Sequence, residues 1–267
     1  MKYAELTFLK LGGSLITNKT QPLTHRPEII RQIALEIREV FDDKPGMKLL
    51  IGHGSGSFGH AVANQYQTQK GGEGQTYWEG FANVWWAARK LNQHVVDIFH
   101  EVGLPVIAIP PSAAVIARDR NFEQWDIEPL KKALSHNLIP VVYGDVIFDN
   151  QIGGTIFSTE KLFQHLSRQL IPDRILLAGL DQGVFKDFNR QEHIIAKITP
   201  SDFQEIRSSL SGAQTADVTG GMLTKVQLML ELVESQPGLQ VRIFSGYDPG
   251  NIKKALSGKA LGTLLAK

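Results

Sequence analysis

Three lysines in this sequence stand beside glycines, and that combination has few chemical uses. Lys10 lies in Lys10-Leu11-Gly12-Gly13-Ser14, Lys19 follows in the same loop, and Lys225 comes just after Gly220-Gly221-Met222. Glycine turns let backbone N–H groups close on an anion, and a lysine beside them adds a full positive charge. A lysine pointing inward along a strand is costly unless an anion pairs with it. A lysine on the first turn of a helix opposes the helix dipole unless a phosphate is present. Each lysine alone is compatible with a solvated surface charge. Jointly, three lysines on glycine-rich turns point to a polyphosphate site.

The richest turn is Gly52-His53-Gly54-Ser55-Gly56-Ser57-Phe58-Gly59-His60. Gly54, Gly56 and Gly59 formally satisfy G-x-G-x-x-G, the dinucleotide fingerprint. That fingerprint needs a helix, a second strand and then an acidic residue. Residues Ala61 to Gly80 are polar and glycine-containing, so no such strand follows and the dinucleotide reading is disfavoured. A tight turn without a ligand would not require so many glycines beside two histidines. No G-x-x-x-x-G-K-[ST] is present, so this is not a P-loop enzyme.

The elements that must position these groups follow from periodicity. Glu5 to Leu11 reads as a strand and Pro27 to Asp42 as a helix, with Pro27 suited to its first position and Ile30, Ile33, Ile37 and Val40 as one stripe. Lys48 to Ile51 is a short buried strand running into the glycines. A helix is expected over Gly80 to Glu101, a strand over Leu104 to Ile109, a helix over Ile127 to His136 and a strand over Leu138 to Tyr143. Asp145 to Phe157 and Val184 to Lys197 read as hairpins. Thr159 to Leu170 and Met222 to Glu234 read as helices, Arg174 to Ala178 and Gln240 to Phe244 as strands, Ile252 to Leu256 as a short helix and Thr263 to Ala266 as a last strand. Apolar strands alternating with amphipathic helices predict an α/β fold, a mostly parallel open sheet covered on both faces. Ligands in such sheets bind beyond the carboxyl ends of the strands.

Composition narrows the chemistry. The 267 residues carry 28 Lys+Arg against 27 Asp+Glu, a net charge of +1, which argues against a general nucleic-acid binder. The count of cysteines is 0, which removes disulfides, thiolate metal sites and cysteine nucleophiles. Met1 to Leu11 carries Lys2, Glu5 and Lys10 and lacks the apolar run of a signal peptide. The longest apolar stretch, Val102 to Ala117, is broken by Pro105, Pro110 and Pro111 and is shorter than the roughly 20 residues of a membrane helix. A cytoplasmic protein with no membrane or nucleic-acid partner is the expectation. No linker or repeat divides the chain, so a single domain is expected over 1–267.

Lys10 to Ser14, the Gly54 to His60 turn, Gly179 to Phe185, and Asp217-Val218-Thr219-Gly220-Gly221-Met222 with Lys225 resemble the amino acid kinase superfamily, in order and over nearly the whole chain. The closing Gly246 to Gly250 and Gly262-Thr263 fit its nucleotide half. Within it the sequence is most similar to the isopentenyl phosphate kinases, through Lys19, the Gly-Ser-Phe-Gly-His turn and Tyr143-Gly144-Asp145-Val146. The resemblance implies a three-layer αβα sandwich, with about 1–170 binding an acceptor and about 171–267 the nucleotide, in a homodimer. It implies ATP-dependent phosphorylation of an isoprenoid monophosphate, with Mg²⁺ on the ATP phosphates and no dedicated protein metal site. Lys10 and Lys225 would hold the transferring phosphoryl group from opposite sides, and Lys19 would reach the terminal phosphate of ATP. Gly12, Gly13, Asp181, Gly183, Gly220 and Gly221 would lie by the nucleotide. His60 would hydrogen-bond the acceptor phosphate, with Gly54, Ser55, Gly56, Gly59 and Gly154 around it. Kinases for another phosphate or a phosphonate, and a non-catalytic nucleotide binder on the same fold, are the alternatives.

The sequence departs from that family in three places. Ser158-Thr159-Glu160 stands where the family shows Ser-Gly-Asp, so Glu160 would orient the two catalytic lysines on a longer arm. Ala82-Asn83-Val84-Trp85-Trp86 replaces a Thr-His pair near the acceptor pocket, and Trp86 is expected to line that pocket. Adjacent tryptophans cannot both face one side of a helix, and Trp85, Trp86 or Trp125 would be available for a subunit contact. Thr224 precedes Lys225 where glycine is common.

Overall fold

β1 (Leu6–Leu11) is apolar on both sides because it runs through the middle of the molecule. In this computed structural model, which describes residues 5–187, 192–211 and 221–267, it is followed by α1 (Gly13–Ile16), α2 (Pro27–Asp43), β2 (Lys48–His53), α3 (Gly56–Tyr66) and α4 (Gln75–Glu101). Next come β3 (Val106–Ala108), β4 (Val115–Arg118), β5 (Asn121–Trp125), α5 (Glu128–Ser135), β6 (Ile139–Tyr143), β7 (Asp145–Asp149) and β8 (Gly153–Phe157). The chain continues through α6 (Thr159–Leu170), β9 (Arg174–Gly179), β10 (Phe185–Asp187), β11 (Glu192–Ile194), β12 (Lys197–Ile198) and α7 (Phe203–Ser211). α8 (Gly221–Ser235), β13 (Gln240–Ser245), α9 (Asn251–Leu256) and β14 (Thr263–Leu265) complete it.

Eight strands form the main sheet in the order β12-β14-β13-β9-β1-β2-β6-β3, and every pair is parallel except β13 with β14. Side chains alternate across a strand, and β1 shows what that achieves. Leu6 and Phe8 join the core under α5, α6 and α8, while Leu9 and Leu11 join the core under α2, α4 and α9. Lys10 shares the parity of Leu6 and Phe8, so it projects towards the α6–α8 side. The expected three-layer sandwich with a mostly parallel sheet is therefore observed. Among the described residues no helix is long and apolar enough to cross a membrane.

Two differences from the sequence reading matter for the site. β2 runs on through Gly52 and His53, and α3 starts at once inside the glycine turn, anchored by the fully buried Phe58. The β4–β5 hairpin, with β7 and β8, builds a second sheet in the order β5-β4-β7-β8. Its tip, Asp119-Arg120, adopts positive φ (44° and 60°) without glycine. The Asp149 carboxylate holds it there by accepting the N–H groups of Asp119 (3.0 Å) and Arg120 (2.7 Å). β5 also buries Trp125 against Phe122, so this tryptophan is core and not an exposed contact surface.

Candidate active site

A cavity of about 450 Å³ opens beyond the carboxyl ends of β1, β2, β6 and β8, where parallel sheets place their ligands. Lys10, the last inward-facing residue of β1, is buried, and its Nζ donates to Glu160 Oε1. Glu160 lies on the first turn of α6, whose N-cap Ser158 accepts the N–H of Lys161 (3.3 Å). A carboxylate at a helix N-terminus is favoured by the dipole. Burial alone would push the Glu160 carboxyl up. Lys10 and Lys225, with the Lys10 hydrogen bond, outweigh it and hold the carboxyl below the ordinary glutamate value. The ionised Glu160 thus sits between two lysines contributed by β1 and α8.

The opposite wall consists of two interlocked glycine turns. A Cβ on Gly13 would lie 2.6 Å from Gly56 Cα, and one on Gly54 would lie 2.9 Å from Gly13 N, so neither position has room for a side chain. Gly56 has φ +49°, a conformation that favours glycine. Thr17 latches the two turns together: its hydroxyl donates to the Gly13 carbonyl (2.7 Å) and accepts the Ser57 N–H (3.0 Å). Gly12 N–H is tied to Ala178 O (2.8 Å) and Gly54 N–H to Leu11 O (3.0 Å). With Ser57 N–H taken by Thr17 and the Phe58 and Gly59 N–H groups both taken by Ser55 O (3.0 and 3.3 Å), the turn is held shut and presents Ser55 and Gly56 to the cavity at the start of α3, the end of a helix that favours anions. Gly13→Ala is expected to force the turns apart, raising the KM for both substrates at least tenfold while the far-ultraviolet circular dichroism stays native. Steady-state kinetics with each substrate varied in turn checks this.

Of the residues singled out from sequence, Lys10, Lys19, Gly12, Gly13, Gly54, Ser55, Gly56, Glu160, Gly221 and Lys225 all line this one cavity. His60 lies in α3, but its side chain is outside the described residues, as is all of Gly220. Five others do not line it. Trp86 is on the outer face of α4, exposed, with Lys90 Nζ 5.0 Å from its ring centroid, and Trp85 is similarly paired with Arg89 at 5.9 Å. The helical period turns both indoles to the surface, because Val84, Ala87 and Ala88 take the inward face. Gly154 and Gly183 have packing reasons to be glycine: a Cβ would meet Phe81 at 2.7 Å in the first case and Ile194 at 2.7 Å in the second. Gly59 leaves room for the Ser55 side chain one turn away, and Asp181 follows β9. Sequence reasoning missed Thr17 and Thr159. The Thr159 hydroxyl donates to His53 O (2.6 Å) and fixes α6 to β2. A threonine beside an N-cap serine gave no distinguishing signal.

A parallel α/β sheet whose strand ends carry paired lysines around a carboxylate, opposite a glycine anion cradle, defines a phosphoryl-transfer scaffold. The chain belongs to the amino acid kinase family, whose model matches residues 5–245. It is 32% identical over 264 residues to the isopentenyl phosphate kinase of Methanocaldococcus jannaschii, spanning 97% of this chain and 97% of that protein. It is 33% identical over 262 residues to the isopentenyl phosphate kinase of Methanothermobacter thermautotrophicus, covering 95% of this chain and 96% of the relative. A crystal structure of isopentenyl phosphate kinase superposes with a TM-score of 0.83 at 28% identity, over 98% of this chain and 100% of the other.

Proposed function

We propose that this protein transfers the γ-phosphoryl group of ATP to isopentenyl phosphate, giving isopentenyl diphosphate and ADP. The observation that carries this reading is the single cavity in which Lys10, Lys19, Lys225 and Glu160 face the interlocked glycine turns. A phosphate oxygen of the acceptor attacks the γ-phosphorus, and the bond from that phosphorus to the oxygen bridging it to the β-phosphate breaks as ADP leaves. The acceptor is already ionised near neutrality, so no strong general base is required. Positioning and charge stabilisation then supply most of the catalysis. Lys10 and Lys225 flank the transferring group, Lys19 contacts the terminal phosphate of ATP, and the Gly54 to Gly59 turn with His60 takes the acceptor phosphate. Ile156 and Leu228, both partly exposed, give the same cavity an apolar wall for a hydrocarbon tail. Apart from Lys10, Gly12, Gly13 and Lys19, residues up to about 170 serve the acceptor and the remainder the nucleotide.

Mg²⁺ fits this donor set only on the nucleotide. Among the described residues no three acidic or histidine side chains come together, and Glu160 is engaged by lysine, so the β- and γ-phosphates would carry the ion. When bound, it neutralises charge on those phosphates. The same reading makes the protein a cytoplasmic homodimer, with Trp85 and Trp86 available at a subunit contact.

ADP release from Mg-ATP, measured in parallel with isopentenyl phosphate, dimethylallyl phosphate, geranyl phosphate and fosfomycin, tests the assignment. Turnover is expected with the first two. Turnover confined to fosfomycin would transfer the assignment to a phosphonate kinase, and ADP release with none of them would favour a nucleotide binder without catalysis.

A further inference from the structure

His53 is fully buried at the end of β2 and does not line the cavity, yet it bonds Gly54, Gly144 and Thr159, which do. Its carbonyl accepts the Gly144 N–H (3.1 Å) and the Thr159 hydroxyl (2.6 Å), and both of those residues are on the cavity wall. Its ring Nδ1 lies 3.1 Å from the Gly54 carbonyl oxygen, and Nε2 lies 3.2 Å from the amide of Asn92 on α4. The ring stacks on Tyr143 with centroids 5.3 Å apart and planes 10° from parallel. One buried side chain therefore joins the acceptor turn, β6 and the long helix α4.

As oriented, both ring nitrogens face oxygen atoms, Gly54 O and Asn92 Oδ1. Two acceptors would require two ring protons and hence an imidazolium. Burial, helped by Lys10, pushes the His53 ring below its ordinary value and disfavours that cation. A backbone carbonyl can only accept, whereas an asparagine amide presents an oxygen or an NH₂ group according to its rotation. The consistent arrangement is a neutral ring with its proton on Nδ1, donated to Gly54 O, and Asn92 turned so that its NH₂ donates to Nε2.

We propose that His53, fixed by Asn92 as the neutral Nδ1–H tautomer, is a positioning residue that orients the Gly54 peptide and thereby the acceptor-phosphate turn. The inference rests on the acceptor reading of that turn. A peptide unit is planar, so holding the Gly54 carbonyl fixes the direction of the N–H of Ser55, a residue that lines the cavity. Asn92 in turn selects the tautomer, in the way a hydrogen bond to one imidazole nitrogen determines where the proton resides on the other.

Two isosteric replacements separate this role from general packing. Asparagine at 53 places an NH₂ near the position of Nδ1 and keeps the bond to Gly54, whereas glutamine places its amide near Nε2 and loses that bond. His53→Gln should raise the KM for isopentenyl phosphate about tenfold, the scale of one hydrogen bond, with the KM for ATP moving less than twofold. His53→Asn should recover most of that loss. Equal effects of the two replacements, or equal changes in both KM values, would overturn the proposal.

Long-range ¹H–¹⁵N correlation spectra of the wild-type protein give a readout that needs neither a variant nor turnover. One imidazole should show the Nδ1–H tautomer at pH 8 and should keep it to lower pH than the exposed histidines do, because burial disfavours its cation. If none of the 8 histidines shows it, the proposal fails. If the tautomer is present but isopentenyl phosphate is not phosphorylated, it is the acceptor reading that fails.

Discussion

Lys225→Ala lowers kcat by about two orders of magnitude or more, while the KM for ATP rises only a fewfold. The lysine arrives from α8 on the side of the cavity opposite the glycine turns, and its charge reaches Glu160, whose carboxyl it helps to hold below the ordinary value. Lys10 approaches from β1 on the same carboxylate. The lysine pair is therefore preorganised by a shared counter-charge before any phosphate arrives. In phosphoryl transfer, charge spreads over the equatorial oxygens of the transferring group and onto the leaving oxygen, and groups already aimed at those positions need no reorganisation. Removing one such contact typically costs about 2.7–4 kcal/mol in the transition state. On the proposed reading Gly12, Gly13 and Lys19 still hold ATP in the ground state, so the loss should appear in kcat. Steady-state kinetics on purified variant decides the matter: near-normal kcat would show that Lys225 is not aimed at the transferring group. Lys225→Arg should recover little, because a planar fork does not replace a compact ammonium in a filled geometry.

Much of this arrangement was legible in the sequence, for reasons specific to particular residues. The alternation of Leu6, Phe8 and Lys10 against Leu9 and Leu11 already assigns Lys10 to one face of a two-sided strand. Ser158 with an acidic residue two positions on marks the start of α6, and α6 carries Glu160 to the cavity. The glycine clusters after β1 and β2 both proved to be places where backbone meets backbone. Other features had no local signal. Asp149 stabilises the Asp119-Arg120 tip through bonds spanning 30 and 29 residues, so the hairpin depends on a partner that no short window contains. Gly154 and Gly183 read from sequence like the anion-binding glycines, since a missing side chain looks the same whether phosphate, Phe81 or Ile194 fills the space. Trp86 was placed by family position, while the packing of Val84, Ala87 and Ala88 determined which way it faces.

Glu160→Gln separates the charge of this residue from its shape. The amide is nearly isosteric, so α6 and its N-cap should be undisturbed, but Lys10 is left buried beside a neutral group. Breaking one side of a buried ion pair typically costs about 3–5 kcal/mol, and disorder of the lysine pair should lower kcat by about two orders of magnitude. The stability loss should also depend on pH in a defined direction. The folded-state Glu160 carboxyl lies below its ordinary value, so its contribution is fully present above the unfolded pKa of about 4.3 and is lost as pH falls through the folded value. The gap between wild type and Glu160→Gln in urea unfolding should therefore be constant from pH 8 to 5.5 and shrink towards pH 3. A gap that instead widens on acidification would mean that Glu160 is protonated in the folded protein. Glu160→Asp keeps the charge but withdraws it by one methylene from Lys10. It should lie between the two in kcat, because the carboxylate still compensates the lysines but no longer reaches Nζ directly. If aspartate equals wild type, the longer arm is incidental; if it equals glutamine, the direct Lys10 contact from this α6 position is what aligns the pair.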